Sequence, residues 1–74
     1  MDKFIEKFTE LFENPDIKDL NEFTSFKEID GWCSLVALFL ISMVDEEYHV
    51  FLKRDDILKA STIGDIYHII QKIT

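Results

Sequence analysis

Residues 29–35 read Ile29-Asp30-Gly31-Trp32-Cys33-Ser34-Leu35 and join a long loop to an apolar helix. Gly31 breaks the chain before that helix and permits a turn, because glycine adopts backbone conformations that other residues avoid. Ser34 is a reasonable N-cap, since its hydroxyl can accept a hydrogen bond from an unpaired N–H group of the first helical turn. The spacing of the apolar residues that follow predicts a helix from about Ser34 to His49.

This second helix is apolar over its first half and acidic near its end. Leu35, Leu38 and Ile41 recur at helical spacing, and we expect them to face the core. Phe39 is then expected to be exposed, unless it packs against the long loop. The acidic cluster at residues 45–47 lies at the end of the helix where the dipole disfavours negative charge.

The chain before this stretch predicts one helix and a loop. The first helix is expected over about Asp2–Glu13, with an apolar stripe of Phe4, Ile5, Phe8, Leu11 and Phe12. Asn14-Pro15 ends that helix, because proline disfavours helical geometry in the residue before it. The connection from Asp16 to Asp30 has no clean period, so we expect a loop with a short helical turn. Four side chains are expected to hold this loop to the core: Leu20, Phe23, Phe26 and Ile29.

The chain after the second helix predicts two more helices. Val50 to Lys53 is a short connection, and a short helix follows over about Asp55–Ala60. Thr62 and Asp65 resemble a capping box at the start of the last helix, over about Ile63–Lys72. The buried stripe of that helix is expected to comprise Ile63, Ile66, Ile69, Ile70 and Ile73. The result is an all-α bundle of three longer helices and one short helix.

The length of 74 residues fits one domain that spans residues 1–74. Apolar residues make up 47% of the chain, with seven Phe, which is ample for a compact core. A domain this small has little room for a deep pocket, which weighs against a self-sufficient enzyme. No apolar run is long enough to span a bilayer.

The net charge is −7, from 15 acidic and 8 basic residues. Nucleic-acid binding requires a basic surface, and an anionic membrane disfavours an acidic protein, so we expect neither as a partner. A protein with a basic patch is the natural partner, since opposite charge speeds the encounter. The charge alone is equally compatible with a role in solubility.

The side chains that could carry chemistry show no catalytic or metal-binding pattern. Cys33 is the only cysteine, so no internal disulfide can form, and no Cys/His cluster has zinc spacing. Cys33 with His49 or His68 would make a thiol nucleophile and base, but nothing supplies an oxyanion hole. We therefore expect a non-enzyme in which Cys33 is a small apolar residue at a loop-to-helix junction. The first residues have no signal-peptide layout, and we expect a cytoplasmic protein.

The segment Gly31-Trp32-Cys33-Ser34-Leu35 resembles the attachment motif of acyl carrier proteins, G-W-D-S-L, with Cys33 in place of the acid. Glu46-Glu47-Tyr48 stands at the distance of the family's Glu-Glu-Phe-like triplet, and the acidic short helix begins with Asp55-Asp56. Thr62-Ile63-Gly64-Asp65 is similar to the start of the family's last helix. The similarity covers nearly the whole chain in order, including the lengths of the first helix and the long loop.

The resemblance implies an acyl-carrier-like four-helix bundle that bears 4′-phosphopantetheine on Ser34. A phosphopantetheinyl transferase would attach the group, an acyl- or aminoacyl-adenylating ligase would load it, and an acceptor transferase or synthase would take the cargo. The carrier would be a monomer that holds the acyl or aminoacyl group as a thioester and catalyses nothing itself. A phosphodiester at Ser34 would lie at a helix N-terminus, where backbone N–H groups favour negative charge. Trp32 is expected to cover the neighbouring core.

Two departures from the family pattern bear on this expectation. Cys33 replaces the acid that helps the transferase recognise the carrier, and an ordinary thiol is uncharged at neutral pH. The outward positions after the serine, usually acidic or polar, hold Val36, Ala37 and Phe39. Exposed apolar residues beside the serine would form a partner surface. We expect the partner-binding residues to be Cys33, Leu35, Val36, Phe39, Glu46 and Glu47.

The sequence favours two functions, and a third, a small thiol enzyme that uses Cys33, stays open. The first is a carrier that is modified at Ser34. The second is an interaction module with the carrier fold and no prosthetic group, in which Ser34 is simply a helix cap. Cys33 and the apolar surface around Phe39 favour this second function.

Overall fold

The computed structural model describes residues 2–12, 17 and 19–73. Within these residues the chain is helical and contains no β-strand. Its elements are α1 (Asp2–Glu10), a 3₁₀ turn (Phe26–Glu28), α2 (Ser34–Tyr48), α3 (Arg54–Lys59) and α4 (Ile63–Ile73). The prediction of an all-α fold is confirmed at this level. None of the helices in the described ranges has the length and apolar character needed to cross a membrane.

The helix bounds follow the predicted ones most closely in the C-terminal half of the chain. Both α2 and α4 end within one residue of the prediction, and α3 begins one residue earlier than predicted. The first helix is shorter than predicted and ends at Glu10. Leu11 and Phe12 continue as a tighter turn, in which their N–H groups donate to carbonyl oxygens three residues earlier at 3.1 and 3.2 Å. The predicted stop at Asn14-Pro15 lies outside the described residues.

The core combines aromatic side chains of α1 with aliphatic side chains of the later helices. Phe8 is fully buried, and its ring centroid lies 6.0–6.1 Å from those of Phe4, Phe12 and Phe26. Three isoleucines of α4 are buried as predicted: Ile63, Ile66 and Ile70. Each fully buried side chain of this size contributes about 1.5–3 kcal/mol. The predicted α4 stripe is one turn too long, because Ile73 is 53% exposed.

The orientation of α2 differs from the prediction. Its buried residues are Val36, Leu40, Met43 and Val44. Leu35 and Leu38 are 57% and 54% exposed, so the expectation that they face the core was wrong, and Ile41 is only half-buried. Residues 35–41 are apolar on every side of the helix, so helical spacing does not select the buried face. Packing against the other helices selects it.

The long loop is held to the core by three of its four predicted anchors. The buried or half-buried anchors are Leu20, Phe26 and Ile29. Phe23 was expected to contact the core but is 78% exposed. Its N–H group donates to Oδ1 of Asn21 at 2.8 Å, and the N–H group of Asn21 donates to Oγ1 of Thr24 at 2.9 Å. This local turn places Phe23 at its tip, away from the core.

Backbone contacts tie the same loop to the start of α4. The N–H group of Ile63 donates to the carbonyl oxygen of Thr24 at 3.1 Å, and that of Gly64 donates to the carbonyl oxygen of Glu22 at 2.8 Å. A Cβ at position 64 would lie 2.8 Å from the Glu22 oxygen, so only glycine allows this approach. Gly64 therefore has a packing role in the segment that carries the family resemblance.

The predicted capping box at the start of α4 is confirmed. Oγ1 of Thr62 accepts from the N–H group of Asp65 at 3.1 Å, and the Asp65 carboxylate accepts from the N–H groups of Thr62 and Ser61 at 3.1 and 2.9 Å. These backbone donors hold the pKa of Asp65 below its ordinary value of 3.8. A lowered folded-state pKa means that the carboxylate stabilises the fold above pH 3.8, and that this contribution is lost as the pH falls through the folded-state pKa.

Asp65→Asn is expected to lower the melting temperature at neutral pH, because a neutral amide oxygen accepts hydrogen bonds more weakly than a carboxylate. The deficit relative to the wild type should be smaller at acid pH than at neutral pH, because the wild-type carboxylate loses its charge as the pH falls through its lowered folded-state pKa. Thermal denaturation followed by circular dichroism measures both values. Asp45→Asn is the control, since it removes a negative charge from the exposed end of α2 without removing a cap. An equal deficit at both pH values would contradict this role of Asp65.

Candidate functional site

Gly31 directs the chain into α2. Its φ is +98°, a conformation that disfavours side chains, and the N–H group of Trp32 donates to the carbonyl oxygen of Ile29 at 3.0 Å across the turn. The indole of Trp32 lies against Phe26 with ring centroids 4.8 Å apart and stacks on Phe8 at 6.4 Å. The predicted turn at Gly31 and the predicted covering of the core by Trp32 are both confirmed.

Ser34 is the first residue of α2, so its predicted role as the N-cap was wrong. The N-cap is Cys33, whose backbone is extended and whose side chain makes no capping hydrogen bond. The Cys33 carbonyl oxygen accepts from the N–H group of Ala37 at 3.0 Å and begins the helix. Ser34 is exposed, and its hydroxyl makes no hydrogen bond with the part of the chain that the structure describes. The hydroxyl is therefore available to a reagent from solution.

The start of α2 favours negative charge. No side chain at the N-cap satisfies the N–H groups of the first turn, which have no partner within the helix. The helix has 15 residues, and its dipole places a partial positive charge at this end. An anion attached to Ser34 would gain about 0.3–1 kcal/mol from this environment.

An open cavity of about 460 Å³ lies beside Ser34 and is lined by residues of α2 and α3; we call it the α2–α3 cavity. Its apolar lining comprises Trp32, Ala37, Leu38, Ile41, Ile57 and Leu58. The other lining residues are Cys33, Ser34, Lys27 and Arg54. Both charged side chains are cationic, although the chain has 15 acidic and 8 basic residues. This lining suits an apolar chain that carries an anionic group.

Lys27 connects the long loop to α3. Its Nζ donates to the carbonyl oxygen of Leu58 at 2.8 Å and lies 5.6 Å from the centroid of the Phe26 ring. Leu58 belongs to the last turn of α3, where the helix dipole favours a cation. Sequence reasoning missed Lys27 and Arg54 as site residues, because local spacing carries no signal that the loop and α3 meet beside Ser34.

A second groove of about 300 Å³ lies between the end of α1 and the start of α2; we call it the α1–α2 groove. It is lined by Leu11, Phe12, Asp30, Gly31, Leu35, Val36 and Phe39. Phe39 is 45% exposed, as predicted. Val36 was expected to be exposed but is buried, because it lies on the core side of α2 and forms only the floor of this groove.

The acidic end of α2 lies apart from Ser34. Glu46 and Glu47 are exposed there, and Glu47 forms an ion pair with Nζ of Lys7 at 3.4 Å that joins α2 to α1. The hydrogen bond and the charge of Glu47 raise the pKa of Lys7, although an exposed pair of this kind contributes little stability. About 18 Å of helix separates Ser34 from Glu46, at the usual rise per residue.

Cys33 is a free, exposed thiol at the junction of the loop and α2. His49 follows the other end of α2, about 24 Å along the helix axis at the usual rise per residue, so it cannot act as a base for Cys33. Among the residues that the structure describes, no three His, Cys, Asp or Glu side chains are grouped as metal ligands would be.

Comparisons of the chain with protein-family models, with curated proteins and with solved structures give no match. A function for this site is therefore inferred from its own residues. The start of α2 brings together Cys33, Ser34, Leu35 and Phe39, with one cavity toward α3 and one groove toward α1.

Gly31→Ala is expected to destabilise the protein by about 1–2 kcal/mol, because an L-residue is strained at positive φ. A Cβ at position 31 would meet only a carbon of Phe12 at 3.7 Å, an ordinary contact, so the loss is conformational. Gly31→Asn should destabilise less, since asparagine tolerates positive φ better than alanine. Urea unfolding measures both losses, and equal losses would show that side-chain packing and not the backbone sets the constraint.

Proposed function

We propose that the protein is a stand-alone acyl or aminoacyl carrier, with an acyl-carrier-like arrangement of its four helices and 4′-phosphopantetheine attached to Ser34. The observation that carries the proposal is the exposed, unengaged hydroxyl of Ser34 at the first position of α2, beside an apolar cavity. The residues from Gly31 to Leu35 that form this site are also those that carry the sequence resemblance.

The residues around Ser34 fit the proposed group. A phosphodiester on Ser34 would lie by the free N–H groups that begin α2, and the cations Lys27 and Arg54 line the cavity beside it. The apolar lining suits an acyl chain, because burial of each CH₂ group contributes about 0.8 kcal/mol. The cavity volume of about 460 Å³ is within the usual range of small-molecule sites.

Attachment is a transfer from coenzyme A by a separate enzyme. Oγ of Ser34 forms a new P–O bond, the bond to the adenosine bisphosphate half of coenzyme A breaks, and the hydroxyl proton passes to a base of the transferase. When bound, 4′-phosphopantetheine supplies a thiol that carries the cargo as a thioester. The residues of this chain present the serine: Gly31 turns the backbone outward, and Trp32 holds the preceding segment in the core.

The proposed partners are a phosphopantetheinyl transferase, an acyl- or aminoacyl-adenylating ligase, and an acceptor transferase or synthase. Contact with them is proposed at the exposed side chains along α2: Cys33, Leu35, Phe39, Glu46 and Glu47. The net charge of −7 favours partners that present basic residues, because opposite charges speed the encounter. Apolar anchors near the serine would then supply most of the binding free energy.

An interaction module without a prosthetic group is the second candidate function. Cys33 lacks the charge by which transferases of the family recognise their carrier. The α1–α2 groove presents Leu35 and Phe39 at 57% and 45% exposure, which is apolar surface that a partner can cover. A partner bound there would need no modification of Ser34.

Incubation with coenzyme A and a broad-specificity phosphopantetheinyl transferase is expected to add the mass of one phosphopantetheine to the wild type. Ser34→Ala should gain nothing, because the attacking hydroxyl is absent. Ser42→Ala, which removes another exposed serine of α2, should be modified like the wild type. Intact-mass spectrometry measures the three proteins side by side.

Cys33→Asp separates the two causes of a negative result. A gain of mass in this variant and not in the wild type would assign the failure to transferase recognition, and protein from its native cells should then carry the group. No gain in either protein, with both folded by circular dichroism, would contradict the carrier function and favour the interaction module.

Phe39→Glu is expected to slow modification of Ser34 about tenfold, because an interface anchor contributes about 1.4 kcal/mol or more. The melting temperature should change little, since Phe39 is already 45% exposed. Phe51→Glu is the matched control, because Phe51 is 70% exposed and lines neither the α2–α3 cavity nor the α1–α2 groove. A large fall in melting temperature for Phe39→Glu would assign Phe39 to the core instead.

A further inference from the structure

The α2–α3 cavity is locally positive in a protein that is strongly negative. Among the residues that the structure describes, the two charged side chains that line it, Lys27 and Arg54, are both cations, and no carboxylate lines it. The chain as a whole has a net charge of −7. Both side chains are exposed, and their positive charge would attract an oxyanion that enters the cavity.

Lys27 has partners that account for its position. Its Nζ is bonded to the carbonyl oxygen of Leu58 at 2.8 Å and lies over the Phe26 ring. A cation at the last turn of α3 is also favoured by the helix dipole. The structural role of Lys27 is to attach the loop to α3.

The position of Arg54, unlike that of Lys27, is not explained by contacts within the described part of the protein. It is the single arginine of the chain, and every other basic residue is a lysine. It is the first residue of α3, where the helix dipole disfavours a positive charge. Its side chain makes no ion pair or hydrogen bond with any residue in the described ranges. Neither the helix nor a contact within these ranges explains an arginine at this position.

The chemistry of the guanidinium group indicates what Arg54 is for. Its planar N–H donors match the two oxygens of a carboxylate or a phosphate, which a lysine binds only as a point charge. We propose that Arg54 binds an oxyanion of the group carried on Ser34, within the α2–α3 cavity. This inference rests on the proposed carrier function.

Two parts of the carried group could supply the oxyanion. One is the phosphodiester that joins the arm to Ser34. The other is a carboxylate at the far end of the cargo, in which case Arg54 selects acidic acyl groups over neutral ones of equal length. The carboxylate is planar and the phosphodiester is tetrahedral, but each has two oxygens that can accept from a guanidinium group. The same contact with Arg54 can therefore bind either.

The single arginine makes a direct test, because its guanidinium Nε–H group gives one side-chain NMR resonance that needs no assignment. Four forms are compared: the unmodified chain, the chain with phosphopantetheine alone, and its butyryl and succinyl thioesters. The two cargoes have equal numbers of carbons and differ in the terminal carboxylate. A shift of the Arg54 resonance on attachment of phosphopantetheine assigns the phosphodiester. A shift with succinyl and not with butyryl assigns the cargo carboxylate.

Arg54→Gln and Lys53→Gln are matched variants that remove one positive charge from adjacent positions, of which only residue 54 lines the cavity. If the cargo carboxylate is bound, its proton affinity should rise about 1.4- to fivefold in Arg54→Gln, the range for an exposed ion pair. If the phosphodiester is bound, its ³¹P resonance should move in Arg54→Gln. Lys53→Gln should leave both close to the wild type.

Three results would overturn the inference. An Arg54 resonance that is identical in all four forms overturns the inference. It leaves the carrier function intact, because the intact masses of the three modified forms show that the group was attached. Equal effects of Arg54→Gln and Lys53→Gln would also overturn it, because the charge and not a specific contact would be acting. If neither the wild type nor Cys33→Asp gains the mass of phosphopantetheine while both are folded, the carrier function and this inference are overturned together.

Discussion

The packing of Trp32 against Phe26 and Phe8 positions the start of α2, and the arrangement of the site depends on it. The indole lies 4.8 Å from the Phe26 ring and stacks on Phe8, so the segment before α2 has one favourable position against the core. Gly31, with φ at +98°, lets the backbone turn next to this anchor. Ser34 then begins the helix at the surface, two residues after the half-buried side chain of Trp32, which packs against the core.

The start of α2 carries more apolar surface than the core requires. Four side chains of α2 are buried in the core: Val36, Leu40, Met43 and Val44. Three large apolar side chains are exposed: Leu35, Leu38 and Phe39. Leu38 lines the α2–α3 cavity, whereas Leu35 and Phe39 line the α1–α2 groove. Under the proposed function, one side of the helix would shelter cargo and the other would contact a partner enzyme. The high negative charge elsewhere on the protein opposes non-specific association through these surfaces.

The acidic end of α2 and the cationic side chains of the α2–α3 cavity lie on different parts of the protein. Acidic side chains dominate the surface, and Glu46 and Glu47 lie far from Ser34 at the other end of α2. The cavity beside Ser34 is lined instead by Lys27 and Arg54. A negative exterior suits encounter with basic partners, and a positive cavity suits retention of an anionic group. Under the proposed function, partner encounter and cargo retention would therefore use different parts of one small surface.

The sequence by itself determined the helices, the turn at Gly31, the capping box of Thr62 and Asp65, and the position of Ser34 at the loop-to-helix junction. These features depend on residues within a few positions of one another, which local spacing and residue type reveal. It did not determine which face of α2 is buried, because residues 35–41 are apolar all round and their spacing favours no side. The burial of Val36, the exposure of Leu35 and the meeting of Lys27 with α3 were decided only by the tertiary structure. Each depends on contacts between segments that are distant in the chain, and the free energy of those contacts has no counterpart in any local pattern.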